Sequence, residues 1–210
     1  MKRILRVVCI TAVGILLLTV IAYLVYRPLR SLVPERVGMT KISDSVYIDD
    51  VSKASDAIEL ANDSIKELAK DVLVIERPPR MLFCYREKTF RSFGFRESAA
   101  RSIGGIAVVL SPRAIYGYFL KHELIHYWQS RNLGFLCERY YPQWIIEGMA
   151  YSMSNDPRHP LNEPWETYRH QFEIWYKDVD KNHLKEELRR FSKVKMGARL
   201  PYNRSLKPSP

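Results

Sequence analysis

His122-Glu123-Leu124-Ile125-His126, followed downstream by Trp144-Ile145-Ile146-Glu147-Gly148-Met149-Ala150, is the most chemically specific part of this chain. On a helix, residues four apart share a face, so His122 and His126 can direct two imidazoles at one metal ion with Glu123 beside them. Zinc in a catalytic site takes three protein ligands and keeps a fourth position for water, whose pKa it lowers from about 15.7 to about 7. Two histidines are one ligand short, and Glu147, on what reads as the next helix, is the best-placed third. Glu123 is offset from the metal, which leaves it to take a proton from water and pass it to a leaving amine.

The flanking sequence predicts helices at both places. Ser111-Pro112 reads as an N-cap with proline at the first helical position, apolar residues recur at helical spacing over 114–132, and Gly134 sits where a helix would stop. A second helix is expected from about Pro142 to about Asn155-Asp156-Pro157, with Glu147 in its first two turns and Gly148 and Ala150 small enough for close packing. The loop over 133–141 lets the second helix fold back across the first. The plain alternative is a buried helix whose histidines are only hydrogen-bonded.

These two segments resemble the gluzincins, zinc metallopeptidases with a two-histidine helix and a glutamate third ligand, also described as the peptidase MA-like fold. The resemblance covers about residues 105–155. It implies one zinc ion held by His122, His126 and Glu147, Glu123 as general base, and a peptide or protein substrate. It further implies that a strand before the metal helix is an edge strand to which an extended peptide adds by backbone hydrogen bonds, which here places Ile106, Ala107 and Val108 against substrate. The chain departs from thermolysin-like enzymes in one respect: where they carry an aspartate four residues after the glutamate ligand, this sequence has Tyr151. Support for a ligand histidine must then come from elsewhere. Gluzincins often stabilise the oxyanion with a tyrosine or histidine, for which Tyr151, Tyr168, His170 and Tyr202 are all candidates.

At 210 residues the chain has room for one domain with a good core, expected over 46–197, after a linker over 28–45. Residues 7–26 carry no charge and are flanked by Lys2, Arg3 and Arg6 and by Arg27 and Arg30. Twenty helical residues span about 30 Å, so residues 1–27 are expected to form a cytoplasmic tip and a transmembrane signal anchor, with a cleaved signal peptide as the competing reading. An anchor would put the metal domain on the non-cytoplasmic side. The net charge is +10, and between Lys181 and Lys207 nine basic residues face only Glu186 and Glu187. The segment 198–210 reads as a disordered basic tail, either solvated or lying on an anionic lipid surface. No motif for nucleic-acid binding accompanies the charge. Cys84 and Cys137 can pair if the domain is exported or stay free if it is not, and neither has the spacing of a zinc-ligand pair.

Elsewhere, 46–48, 72–75, 81–85 and 106–110 read as strands and 52–70 and 165–195 as helices. Strands first and metal helices afterwards indicate an α+β, zincin-like domain with a small mixed sheet. The leading expectation is a membrane-anchored zinc metallopeptidase. The alternative is a zincin-fold protein that keeps its metal but acts as a non-catalytic envelope binding or assembly factor.

Overall fold

The computed structural model describes residues 2–192, except for the side chains of residues 2, 5, 7–9, 18–22 and 24. Five strands form one mixed sheet: β1 (Thr40–Lys41), β2 (Val46–Ile48), β3 (Arg80–Phe83), β4 (Ala100–Ile103) and β5 (Ala107–Leu110), in the spatial order β1-β2-β3-β5-β4. The central strands β2, β3 and β5 are parallel, and the outer strands β1 and β4 run antiparallel to their neighbours. Helix α2 (Ala54–Lys70) carries the chain from β2 to β3. Helices and strands are therefore interleaved in the first half of the domain.

Alternation along the strands divides the core in two. Val46, Ile48, Met81, Phe83, Val108 and Leu110 face the helical side and pack with Ala57, Ala61 and Leu68 of α2. Tyr47, Leu82, Ala107 and Val109 face the opposite side, where Phe90 of α3 (Glu87–Ser92), Phe93 and Met39 cover them. Cys84 belongs to this second cluster and Cys137 to the first; both are buried free thiols, so the possible disulfide does not form.

On the helical side lie α4 (Gly117–Asn132), the short α5 (Cys137–Tyr140), α6 (Gln143–Met153), α7 (Trp165–Tyr176) and α8 (Leu184–Arg189). Helix α4 is buried at every position from Glu123 to Gln129, because α2, β4, β5 and α6 surround it. Lys121 enters this interior and is answered at 2.6 Å by Glu67 of α2. Helices α6 and α7 meet most closely at Gly148, where a Cβ would stand 2.2 Å from the Tyr168 carbonyl oxygen. Only glycine permits that approach.

Several expectations are corrected. Residues 72–75 are not a strand: Val72 has φ of 64°, and the Leu73 N–H donates to the Leu68 carbonyl at 3.0 Å, tying the segment to the end of α2. Ser111-Pro112 opens a single 3-10 turn, Pro112–Ala114, and α4 starts afterwards at Gly117 with no side-chain cap. The helix expected over 165–195 is interrupted after Tyr176, and a 3-10 turn, Lys181–His183, precedes α8. The expected linker over 28–45 contains β1.

The transmembrane anchor is also corrected. Residues Lys2–Val25 do form a helix, α1, but it takes Lys2, Arg3 and Arg6 into its first two turns and stops before Tyr26. A membrane span needs length and continuous apolarity together. Among the described residues no helix is long and apolar enough to cross a membrane. The non-cytoplasmic placement and the membrane contact through 7–26 rested on that span and do not stand. The basic tail over 198–210 lies outside the described residues, as does Tyr202.

Candidate metal centre

His122 and His126 emerge from the middle of α4, one helical turn apart, and Glu147 reaches them from the second turn of α6. The two Nε2 atoms are 3.1 Å apart, and Glu147 Oε2 lies 3.6 Å from that of His122 and 3.7 Å from that of His126. Three atoms each held 2.0–2.1 Å from one tetrahedral ion would be separated by about 3.3 Å. The observed spacings bracket that value, and the donor set of two imidazoles and a carboxylate fits a divalent metal. His122, His126 and Glu147 can hold a metal ion.

One ring is oriented by a residue that sequence reasoning missed. Gln129 follows His126 by three positions on the same face of α4 and is fully buried. Its Nε2 donates to the carbonyls of Ile145 at 3.3 Å and Ile146 at 3.0 Å, both on α6. That direction leaves Oε1 as an acceptor, and His126 Nδ1 lies 3.0 Å away. Nδ1 of His126 is thereby fixed as a donor, and Nε2 is the atom turned toward His122 and Glu147. The signal was the i, i+3 spacing from a ligand histidine, which gained meaning only once α6 was in place.

The electrostatics are those of three groups sharing one proton. Burial opposes charge on both rings, but on His126 the hydrogen bond and charge of Glu147, with Glu123 and Gln129, raise the pKa to about 9. Burial and the neighbouring His126 push His122 down to about 3. Burial would raise Glu147, but both histidines outweigh it and hold the carboxyl below its ordinary range.

Glu123 stands outside the ligand set. It is 8% exposed, and burial raises its pKa against the opposing pull of His126 and a backbone hydrogen bond from Ser102 on β4. A carboxylate raised toward neutrality is a competent proton carrier. Of the four oxyanion candidates, Tyr151 is brought to the centre: its ring meets that of His122 edge-on at 4.5 Å. Burial first, then the Glu147 charge, raises its hydroxyl to about 12, so it remains a donor. Tyr168 is on α7, with its ring against Trp165 and its backbone carbonyl against Gly148, and His170 is exposed.

Beside Tyr151 the loop after α6 is locked by Asp156, whose carboxylate takes the Arg158 backbone N–H at 3.0 Å and Nε at 2.9 Å. The Arg158 guanidinium in turn lies over the rings of Tyr118 at 5.4 Å and Phe119 at 4.9 Å, on the first turn of α4. This clamp joins the segment after α6 to the start of α4.

The expected substrate strand is displaced. Ala107 and Val108 lie on β5, bonded to β3 on one side and β4 on the other, and are fully buried; Ile106 sits in the turn before it. The edge next to α4 is β4, whose outer side has no partner strand among the described residues. Comparison with known protein families, with curated proteins and with solved structures gave no match.

Proposed function

We propose that the protein is a zinc-dependent metallopeptidase. The observation that carries the reading is the convergence of His122, His126 and Glu147 from two helices, with Glu123 buried next to them and outside the ligand set. Two imidazoles and one carboxylate are a zinc-type donor set with room for a fourth position. When bound there, zinc would supply Lewis-acid chemistry, polarising a carbonyl and making water acidic near neutral pH.

The chain's own residues supply the remainder. Glu123 takes a proton from the attacking water and returns it to the departing amine, and its raised pKa suits both directions of transfer. Tyr151 donates from its hydroxyl to the oxygen that gains charge as the carbonyl becomes tetrahedral. The unpaired side of β4 takes the extended peptide by backbone hydrogen bonds, and Ser102, whose N–H already engages Glu123, puts that strand beside the base.

The test joins two measurements on the purified protein: metal content, and chelator-sensitive cleavage of a mixed peptide library. Stoichiometric zinc and cleavage abolished by Glu123→Gln are expected. Cleavage that survives Glu123→Gln, or zinc that stays stoichiometric in Glu147→Ala, would overturn the assignment.

A further inference from the structure

Two adjoining cavities, of about 350 and 340 Å³, are lined by the C-terminal half of α4 and the turn that precedes β3. Arg77, Tyr127 and Arg131 line both; Lys41 and Arg80 belong to the first and Lys185 to the second. Against these cations stand Asp44, 3.7 Å from Lys41, and Glu76. Among the described residues no ion pair engages Arg77, Arg80 or Arg131.

Arg77 and Arg131 are exposed, on a fixed turn and against a neighbouring glycine respectively. The Tyr127 hydroxyl donates to the Arg77 carbonyl at 2.6 Å, fixing that turn against α4, and Pro78-Pro79 stiffen it. Arg131 lies across Gly105, where an added Cβ would come within 3.0 Å of its Cδ. Tyr127 directly follows the ligand His126, and Gly105 lies just past the end of β4. A chain laid along β4 beyond Ile103 therefore runs toward the basic cavities, and at about 3.3 Å per residue it arrives within about three to five residues of Ser102.

We propose that these cavities bind an acidic segment of the substrate, with Asp or Glu carboxylates engaging Arg77, Arg80 and Arg131 while the neighbouring residues lie on β4. Guanidinium forks match carboxylates and phosphates alike. The continuity with the strand edge and the two-lobed shape favour an extended peptide. The inference rests on the peptidase reading for the position of the substrate, but not for the binding itself.

Binding of labelled short peptides is measured by fluorescence anisotropy at low salt on full-chain Glu123→Gln protein, so that nothing is consumed. One peptide carries consecutive Glu residues, and its control has Gln in their place. The Glu peptide is expected to bind about tenfold more tightly. The preference should vanish in Arg77→Gln/Arg80→Gln/Arg131→Gln, survive Lys88→Gln on the far side of the sheet, and weaken as salt rises. Equal binding of the two peptides, or a preference that survives the triple variant, overturns the proposal. So does tight binding of tripolyphosphate without binding of the Glu peptide, which would assign the cavities to a phosphate ligand. Wild-type protein that binds the Glu peptide through these arginines yet cleaves nothing fails the peptidase reading alone. Cleavage of both peptides with equal kcat/KM fails the acidic preference alone.

Discussion

Gln129 uses both ends of its carboxamide: two carbonyls of α6 fix which end donates, and that choice makes Nδ1 of His126 a donor and aims Nε2 at His122 and Glu147. Gln129→Ala is expected to weaken metal affinity about 10–100-fold while leaving all three ligands present, measured by competition with a chromophoric chelator. Glu123→Gln should keep stoichiometric metal and lose about 10²–10⁴-fold in kcat, since it removes proton transfer without touching a ligand. An unchanged kcat in that variant would leave Glu123 without a role. The candidate metal triad and the carboxylate beside it were legible because His122, Glu123 and His126 stand at a telling local spacing, and Glu147 in a recognisable context. Gln129, Ser102 and the Asp156–Arg158 clamp were not legible. Each acts on a partner distant in sequence, and a polar residue in a buried position announces nothing until its partner is known.

Helices α6 and α7 touch through a glycine, and the loop between them is closed by a buried carboxylate. Gly148→Ala places a methyl group where the Tyr168 carbonyl stands, so the helices must separate; a loss of about 1–3 kcal/mol in urea unfolding is expected. For Asp156, burial alone would raise the pKa, but Arg158 holds the carboxyl below its ordinary value of 3.8. A depressed folded pKa means the ionised pair stabilises the protein above about pH 4, and that contribution is lost as pH falls through the folded value. The stability gap between the wild type and Asp156→Asn should therefore narrow in acid, as read by urea titrations from neutral pH downward. A gap that widened in acid would contradict the assignment. The two helices that carry His122, His126 and Glu147 were predictable because helical periodicity, Gly134 and Pro142 bound them, although Ser111-Pro112 opened a separate turn ahead of α4. Strand β4 was hidden: Ala100-Arg101-Ser102-Ile103 has weak alternation and takes its structure from pairing with β5. Residues 72–75 show the reverse case, an apolar run with strand character that tertiary context diverts to cap α2.

At the level of the whole domain, a metal that binds only the folded chain must stabilise it. At one hundred times its dissociation constant the gain is about 2.7 kcal/mol, which for a domain of this size corresponds to a rise in Tm of about 5–10 °C. Zinc should produce that shift by calorimetry, and Glu147→Ala should abolish it. The strand, helix, strand order of β2, α2 and β3 was legible, but their parallel pairing was not, because it depends on which neighbour each short strand meets. The same dependence gives Gln129 a second consequence. Its amide makes the seating of α6 on α4 and the aim of His126 a single event, so loosening either one loosens the other. Linkage then runs in both directions: a bound ion would act as a clasp on the helix pair, and a substitution at the α6–α7 contact, at Gly148 beside Glu147 but with no donor atom of its own, should register as a weaker grip on the metal. Metal titration of Gly148→Ala would thus read the tightness of helix packing through an ion that never touches it.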